Sequence, residues 1–217
     1  MNKIKLGVLL VVSILVGFSF TTTTKITVKG SDTMVILSQK WAEVYMRKNP
    51  SVFVQVTGGG SGVGIAALIN GSTMIANSSR PIEQEELEKL KTKYKQNGIQ
   101  IACAKDGLSV YLNKTNPVNE LTIAQLSDIF SGVITNWKQV GGPDAKIQLY
   151  GRESSSGTFE FFKDHVVRKD FARNCQTLPG TAAIVNAVKK DKYGIGYGGA
   201  AYAEGVKDCK IKKDAKS

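Results

Sequence analysis

An α/β fold with mostly parallel strands is predicted for this 217-residue chain by two regularities. Strand-like runs alternate with helix-like runs from residue 25 onward, the pattern that yields strand–crossover–strand units. Short Ser/Thr/Gly clusters then stand where a strand run ends and a helix run begins: Gly30-Ser31-Asp32-Thr33, Gly58-Gly59-Gly60-Ser61-Gly62, and Arg152 through Thr158. In open α/β sheets, ligands bind at those carboxyl ends of strands.

The elements follow in order. Lys25–Lys29 (KITVK) reads as a strand, and Thr33–Lys48 as an amphipathic helix that stops before Asn49-Pro50. Val52–Val56 is a second strand, and Val63–Ile69 a short helix closed by Asn70-Gly71, the residues expected at a left-handed helix end. Met74–Asn77 is a third strand. Pro81–Gln96 is the clearest helix, with proline in its first turn, glutamates early and lysines late, which complements the helix dipole. Ile99–Leu112 is a long strand-forming stretch broken by Lys105-Asp106-Gly107, read as the chain crossing between two lobes. Thr122–Phe130 is a helix, and Ile147–Tyr150 a strand that delivers Arg152. Thr158–Phe171 and Thr181–Lys190 are helices, and Gly194–Tyr197 is a short strand.

Lys3 and Lys5 precede an apolar run from Leu6 to Phe20. This is a charged region followed by an apolar region of signal-peptide length, short for a membrane span. Residues 1–19 are therefore expected to be a leader, with Gly17 and Ser19 as small residues before the cut. No lipobox cysteine is present there, so the protein is expected to be periplasmic or extracytoplasmic. The formal charge is +11, from 29 Lys and Arg against 18 Asp and Glu. Such a surface suits nucleic acid, an anionic cell surface, or steering of a small anion. No basic run with interleaved aromatics occurs, which speaks against nucleic acid. Cys103, Cys175 and Cys209 lack metal-ligand spacing, and the single histidine leaves no zinc set. Cys103 is expected to be buried, and Cys175 with Cys209 could pair in an oxidising compartment. Trp41 and Trp137 are expected to pack in the core.

The clusters carry the chemistry. A helix N-terminus offers free N–H groups and a positive dipole end, which suit an anion. In the last cluster Ser156 and Thr158 supply hydroxyls, Gly157 permits close backbone approach, and Arg152 offers a planar fork for two oxygens. An ordinary serine cap would read the same way. The run Gly58–Gly64 can form a nest of N–H groups with Ser61 added, or simply a flexible turn. It is neither a Walker A loop nor a nucleophile elbow. Ser78-Ser79-Arg80 brings hydroxyls and a second guanidinium. Asp32 is the exception, since a carboxylate repels an anion unless that anion carries a proton to donate. Hydrogen phosphate does so at neutral pH and sulfate does not. His165 has no partner pattern for catalysis, and no catalytic constellation is found.

Together these segments resemble the phosphate-binding proteins of the bacterial ABC-type phosphate transporter, the PstS family. The carrying segments are Gly30–Met34, Thr57–Ala67 (TGGGSGVGIAA), Ile75–Ile82 (IANSSRPI), Asn136-Trp137 with Gly141-Gly142, Arg152–Phe159 (RESSSGTF) and Gly194–Tyr197. The resemblance implies a two-lobed type II periplasmic-binding-protein fold. Lobe 1 would comprise residues 25–104 plus 198–217, and lobe 2 residues 105–197, with a hinge near 104–108 and 197–200. It implies a monomer that binds inorganic phosphate for a membrane permease of an ABC transporter, with no cofactor, metal or nucleic acid. The phosphate contacts carry over to Ser31, Asp32, Thr33, Ser61, Gly62, Ser79, Arg80, Arg152, Ser156, Gly157 and Thr158. Some members place an aspartate where Ser79 stands here. Members usually continue for several tens of residues past the Gly-Tyr strand, so the C-terminal return segment of lobe 1 is expected to be lacking. The competing expectations are a receptor for sulfate or a metal oxyanion, a polyanion-binding module, and a serine hydrolase.

Overall fold

The computed structural model describes residues 23–213. The expected leader lies outside the described residues. Two sheets organise the chain. The first is built of β1 (Thr24–Gly30), β2 (Val52–Thr57) and β3 (Ile75–Asn77), in the order β2-β1-β3, all parallel. Its helices are α1 (Val35–Lys48), α2 (Ser61–Asn70) and α3 (Gln84–Tyr94). The second sheet contains β4 (Leu108–Leu112), β5 (Glu120–Thr122), β6 (Gln148–Arg152), β7 (Gln176–Leu178), β8 (Gly194–Gly199) and β9 (Lys207–Lys212), in the order β5-β9-β4-β8-β6-β7. Its helices are α4 (Ile123–Phe130), α5 (Gly157–Phe162) and α6 (Gly180–Lys190).

Local chemistry sets the helix ends. Thr122 caps α4 by accepting the Gln125 N–H at 3.1 Å, while the Gln125 side chain returns to the Thr122 N–H at 2.8 Å. Glu83 and Glu86 form the corresponding box on α3, so that helix starts at Gln84 rather than at Pro81. Gly71 ends α2 in the left-handed conformation, as the Asn-Gly pair predicts. The expected helix Thr158–Phe171 is interrupted. Regular α-helix stops at Phe162, one π-helical turn spans Lys163–Val167, and Arg168 turns left-handed at φ 55°.

The second sheet holds the main core. Trp137, Phe130, Phe162 and Tyr197 are fully buried. Phe162 stacks on Tyr197 at 3.9 Å and meets Phe130 edge-on at 4.9 Å. The Trp137 indole N–H donates to the Tyr193 carbonyl at 2.9 Å. Tyr111, Tyr150, Ile184 and Val188 pack a second cluster under α6.

Several expectations are corrected. The resemblance places residues 198–217 with lobe 1, yet β9 pairs with β4 and β5 in the second sheet. The second sheet is mixed, because β4 runs antiparallel to both β8 and β9. Of the stretch Ile99–Leu112 only Leu108–Leu112 is a strand. Residues 99–107 are irregular, with Ile99 and Ile101 exposed, because among the described residues no strand pairs beside them. Cys103 lies in that segment and is exposed, not buried. Cys175 and Cys209 are free thiols. They sit beside strands at opposite sides of the sheet, four strand spacings or about 19 Å apart, beyond the reach of a disulfide. Trp41 is 47% exposed on the outer face of α1 rather than packed, since that helix buries only Ser38 and Ala42.

Candidate anion-binding site

The carboxyl ends of β1, β3 and β6 converge on one seam between the two sheets. β1 ends at Gly30. The next N–H, of Ser31, donates to the Asn77 carbonyl at the end of β3 at 2.8 Å. A 3-10 turn over Asp32–Met34 then brings the Ser31 and Thr33 hydroxyls within 2.8 Å of each other. Ser61 opens α2, two residues earlier than the expected Val63, and is fully buried. Its hydroxyl accepts the Ser79 N–H at 3.1 Å and lies 3.2 Å from the Ser79 hydroxyl. On the other side β6 delivers Arg152, and Ser156 caps α5 by accepting the Phe159 N–H at 3.3 Å.

The two sets of loops touch. Gly62 N–H donates to the Ser155 carbonyl at 3.0 Å, and the Ser155 hydroxyl donates to the Gly59 carbonyl at 3.3 Å. Tyr202 O–H donates to the Asp32 carbonyl at 2.6 Å. Glycine is required where the backbones press together. A Cβ on Gly157 would lie 2.8 Å from both the Ser61 and the Ser79 hydroxyl oxygens. Gly60, at φ +93°, would meet the Ser155 carbonyl oxygen at 2.6 Å.

Both arginines are held by carboxylates. Arg152 is 2% exposed. Its Nε and Nη2 donate to Glu153 at 3.0 and 2.8 Å, Nη2 also to Asp32 Oδ2 at 2.7 Å, and Nη1 to the Thr181 hydroxyl at 3.0 Å. Asp32 Oδ1 in turn accepts the Gly59 N–H at 3.0 Å. Burial pushes the Glu153 carboxyl up, but the Arg152 hydrogen bonds and charge, together with backbone N–H donors, leave Glu153 below the usual carboxylate range. Arg80 donates through Nη1 and Nη2 to Glu86 at 2.8 Å each, and its Nε stands 2.7 Å from Glu160 Oε2. The hydrogen bonds with Glu86 hold Arg80 more firmly protonated than usual and draw the Glu86 carboxyl down. Glu160 goes the other way: burial raises it despite the Arg80 charge.

The seam thus brings Ser31, Asp32, Thr33, Ser61, Gly62, Ser79, Arg152, Ser156, Gly157 and Thr158 into neighbouring loops. Arg80 joins them by its stem, while its guanidinium is directed to Glu86, Glu83 and Glu160. Arg152 does not present an open fork either, because Glu153 fills the Nε–Nη2 edge. Sequence reasoning missed the roles of Glu153, Glu86, Glu160 and Thr181. Thr181 had a signal: Pro179-Gly180-Thr181 opens α6 with the same punctuation as the other loops. The carboxylates had none, because glutamates near a helix start also read as favourable dipole charge. His165 lies on the π-helical turn, exposed and 4.4 Å from the Phe161 ring. Among the described residues no group of His, Cys, Asp and Glu could hold a metal ion.

Two α/β bodies joined by loops at the carboxyl ends of their strands define the type II periplasmic-binding-protein class. The chain belongs to the PBP superfamily, whose domain model matches residues 19–215. It is 36% identical over 186 residues to the phosphate-binding protein PstS of Pseudomonas aeruginosa, a match covering 80% of this chain and 58% of that protein. A substrate-binding protein of Clostridium perfringens, solved with bound phosphate, superimposes with a TM-score of 0.80. That match has 31% identity and covers 88% of this chain and 76% of the other. An ABC-type phosphate transport receptor from Vibrio cholerae gives a TM-score of 0.62 at 30% identity, over 88% and 78%. The chain spans 58% of the length of the Pseudomonas relative.

Proposed function

We propose that this chain is an exported receptor that captures inorganic phosphate at the seam between its two bodies and delivers it to the membrane permease of an ABC transporter. It acts as a monomer and makes or breaks no bond. The observation that carries this reading is the convergence of five hydroxyl-bearing residues (Ser31, Thr33, Ser61, Ser156 and Thr158) with the buried Arg152 on one seam. Hydroxyls and N–H groups at a helix N-terminus donate to a tetrahedral anion without the self-repulsion of clustered cations. Because Arg152 and Arg80 are already paired with carboxylates, they hold the donors in place rather than offer free positive charge. Asp32 completes the selection: a carboxylate at the seam tolerates an anion that brings a proton and rejects a fully ionised one. The phosphate contacts are assigned to Ser31, Asp32, Thr33, Ser61, Ser79, Arg152, Ser156, Gly157 and Thr158, whereas the Gly62 N–H is already given to the Ser155 carbonyl.

Calorimetric titration of the protein with phosphate and then sulfate at neutral pH tests this reading. One-to-one phosphate binding that excess sulfate cannot displace is expected. Equal affinity for sulfate, or no binding by a folded sample, overturns it.

A further inference from the structure

The Arg80–Glu160 pair crosses the seam, with Arg80 on the first body and Glu160 on the second. Arg80 is fixed from below by its two hydrogen bonds to Glu86, both 2.8 Å, on α3 of its own body. From above, its stem lies along one face of α5. A Cβ on Gly157 would stand 3.1 Å from Arg80 Cγ, and Glu160, three residues on and therefore on that face, reaches Arg80 Nε at 2.7 Å. The guanidinium also passes close to α2, where a Cβ on Gly62 would lie 3.7 Å from Nη2. Gly62 is the residue whose N–H crosses the seam to the Ser155 carbonyl. Arg80 is therefore a strut between the loops of both bodies. Its side chain is 11% exposed and that of Glu160 33%, so the pair is screened less than one on an open surface.

We propose that Glu160 is a positioning residue for the anion site: through Arg80 it holds the Ser78–Arg80 loop of the first body against the Ser155–Thr158 turn of the second, and so presets the seam in its closed arrangement. Glu160 touches none of the hydroxyls assigned to the anion. Its effect is on the fraction of molecules whose donors are already assembled, and apparent affinity scales with that fraction. The link to affinity rests on the phosphate reading above, while the link to the seam does not.

The experiment is amide hydrogen exchange read residue by residue by NMR, on the wild type and Glu160→Gln, without and with inorganic phosphate. The Gly62 amide reports the seam directly. The Ile195 amide, in the fully buried strand β8, reports the body of the fold. In Glu160→Gln the Gly62 amide is expected to exchange about three- to fivefold faster, with Ile195 unchanged, in line with the loss of one half-screened ion pair. Phosphate affinity is expected to fall by a similar factor. Glu160→Asp keeps the charge and is expected to restore part of both. It also carries the test if the glutamine variant fails to fold. Unchanged Gly62 exchange overturns the proposal, as does acceleration of Gly62 and Ile195 together, which marks a general loss of stability. If the wild type does not bind phosphate, the functional reading fails while the exchange of Gly62 still decides the role of Glu160.

Discussion

Removing the Arg152 side chain separates its two duties, fixing the seam and supporting the anion. The side chain is 1% exposed and gives four hydrogen bonds, three of them to carboxylates. In Arg152→Ala, Glu153 and Asp32 lose their counter-charge while 26% and 19% exposed. Breaking a buried pair by deleting one partner costs about 3–5 kcal/mol, and the residual exposure of both carboxylates places this case near the lower end. For a protein of this size a loss of about 3 kcal/mol lowers the melting temperature by about 6–12 °C. A second variant, Arg152→Ala with Glu153→Ala, removes the stranded carboxylate as well. It is expected to recover part of that loss, because the penalty lies largely in the unpaired charge. Phosphate binding is expected to fall at least about 100-fold in both variants, since Asp32 then keeps only the Gly59 N–H and faces the ligand without its counter-charge. Scanning calorimetry gives the stability and titration calorimetry the affinity. Affinity within about threefold of the wild type in either variant would falsify the assignment of Arg152. An unchanged melting temperature in the single variant would show that the pairing with Asp32 and Glu153 carries no stability.

Asp32→Asn is expected to narrow the gap between phosphate and sulfate, with sulfate gaining affinity and phosphate losing it; competition titrations that leave the ratio unaltered would dismiss Asp32 as the selective group. Trp137→Ala, at a fully buried site whose indole N–H is hydrogen-bonded, is expected to cost about 3–5 kcal/mol in denaturant unfolding. Ile101→Ser, at a position 76% exposed, is expected to stay within about 0.5 kcal/mol of the wild type. With pH the signs are opposed. Glu86 and Glu153, held below the usual range, contribute stability that is fully present above the unfolded carboxylate value and is lost as pH falls from there through their lower folded values. Glu160, held above it, carries a penalty that disappears on acidification. The two lowered groups outnumber it, so the melting temperature is expected to decline from about pH 5 to pH 3; a rise over that interval would contradict the pairing. One thiol of three, Cys103, is expected to react promptly with a thiol reagent in the native protein, because burial holds Cys175 and Cys209 protonated, each pushed up to about 11.

The loops were legible because they share one local grammar. Strand residues, then Gly with Ser or Thr, then a helix, mark Ser31, Ser61 and Ser156 wherever they occur, and each mark is set by cap and turn chemistry within a few residues. Features that depend on distant chain were not legible. Ile99-Gln-Ile101 has strand composition, but a strand needs a neighbour, and none of the described strands lies beside it. Trp41 has core composition, but α1 buries a narrow face of Ser38 and Ala42. β9 could not be assigned to its sheet, because a Lys-rich strand says nothing about which edge it pairs with. The carboxylate partners of Arg80 and Arg152 come from 3 to 120 residues away, apart from the adjacent Glu153, and no spacing rule announces them.

The pairing of both arginines alters what the seam can select. A free guanidinium attracts any anion and, being a forked donor, binds carboxylate, sulfate and phosphate alike. One that already carries Glu153 and Asp32 has no net positive charge to offer, so on the proposed reading discrimination passes to groups with direction: the hydroxyls of Ser31, Thr33, Ser61 and Ser156, and the acceptor oxygens of Asp32. Directional donors reward a ligand of the right shape, and a carboxylate acceptor rewards one that carries a proton, so the same pairing that lowers general attraction raises the difference between two tetrahedral anions. The net positive charge, +9 (11 − 2) once Lys3 and Lys5 of the expected leader are set aside, then serves another step. On the phosphate reading proposed above, it would draw anions toward the protein through solution without choosing among them, and the choice would fall to the seam.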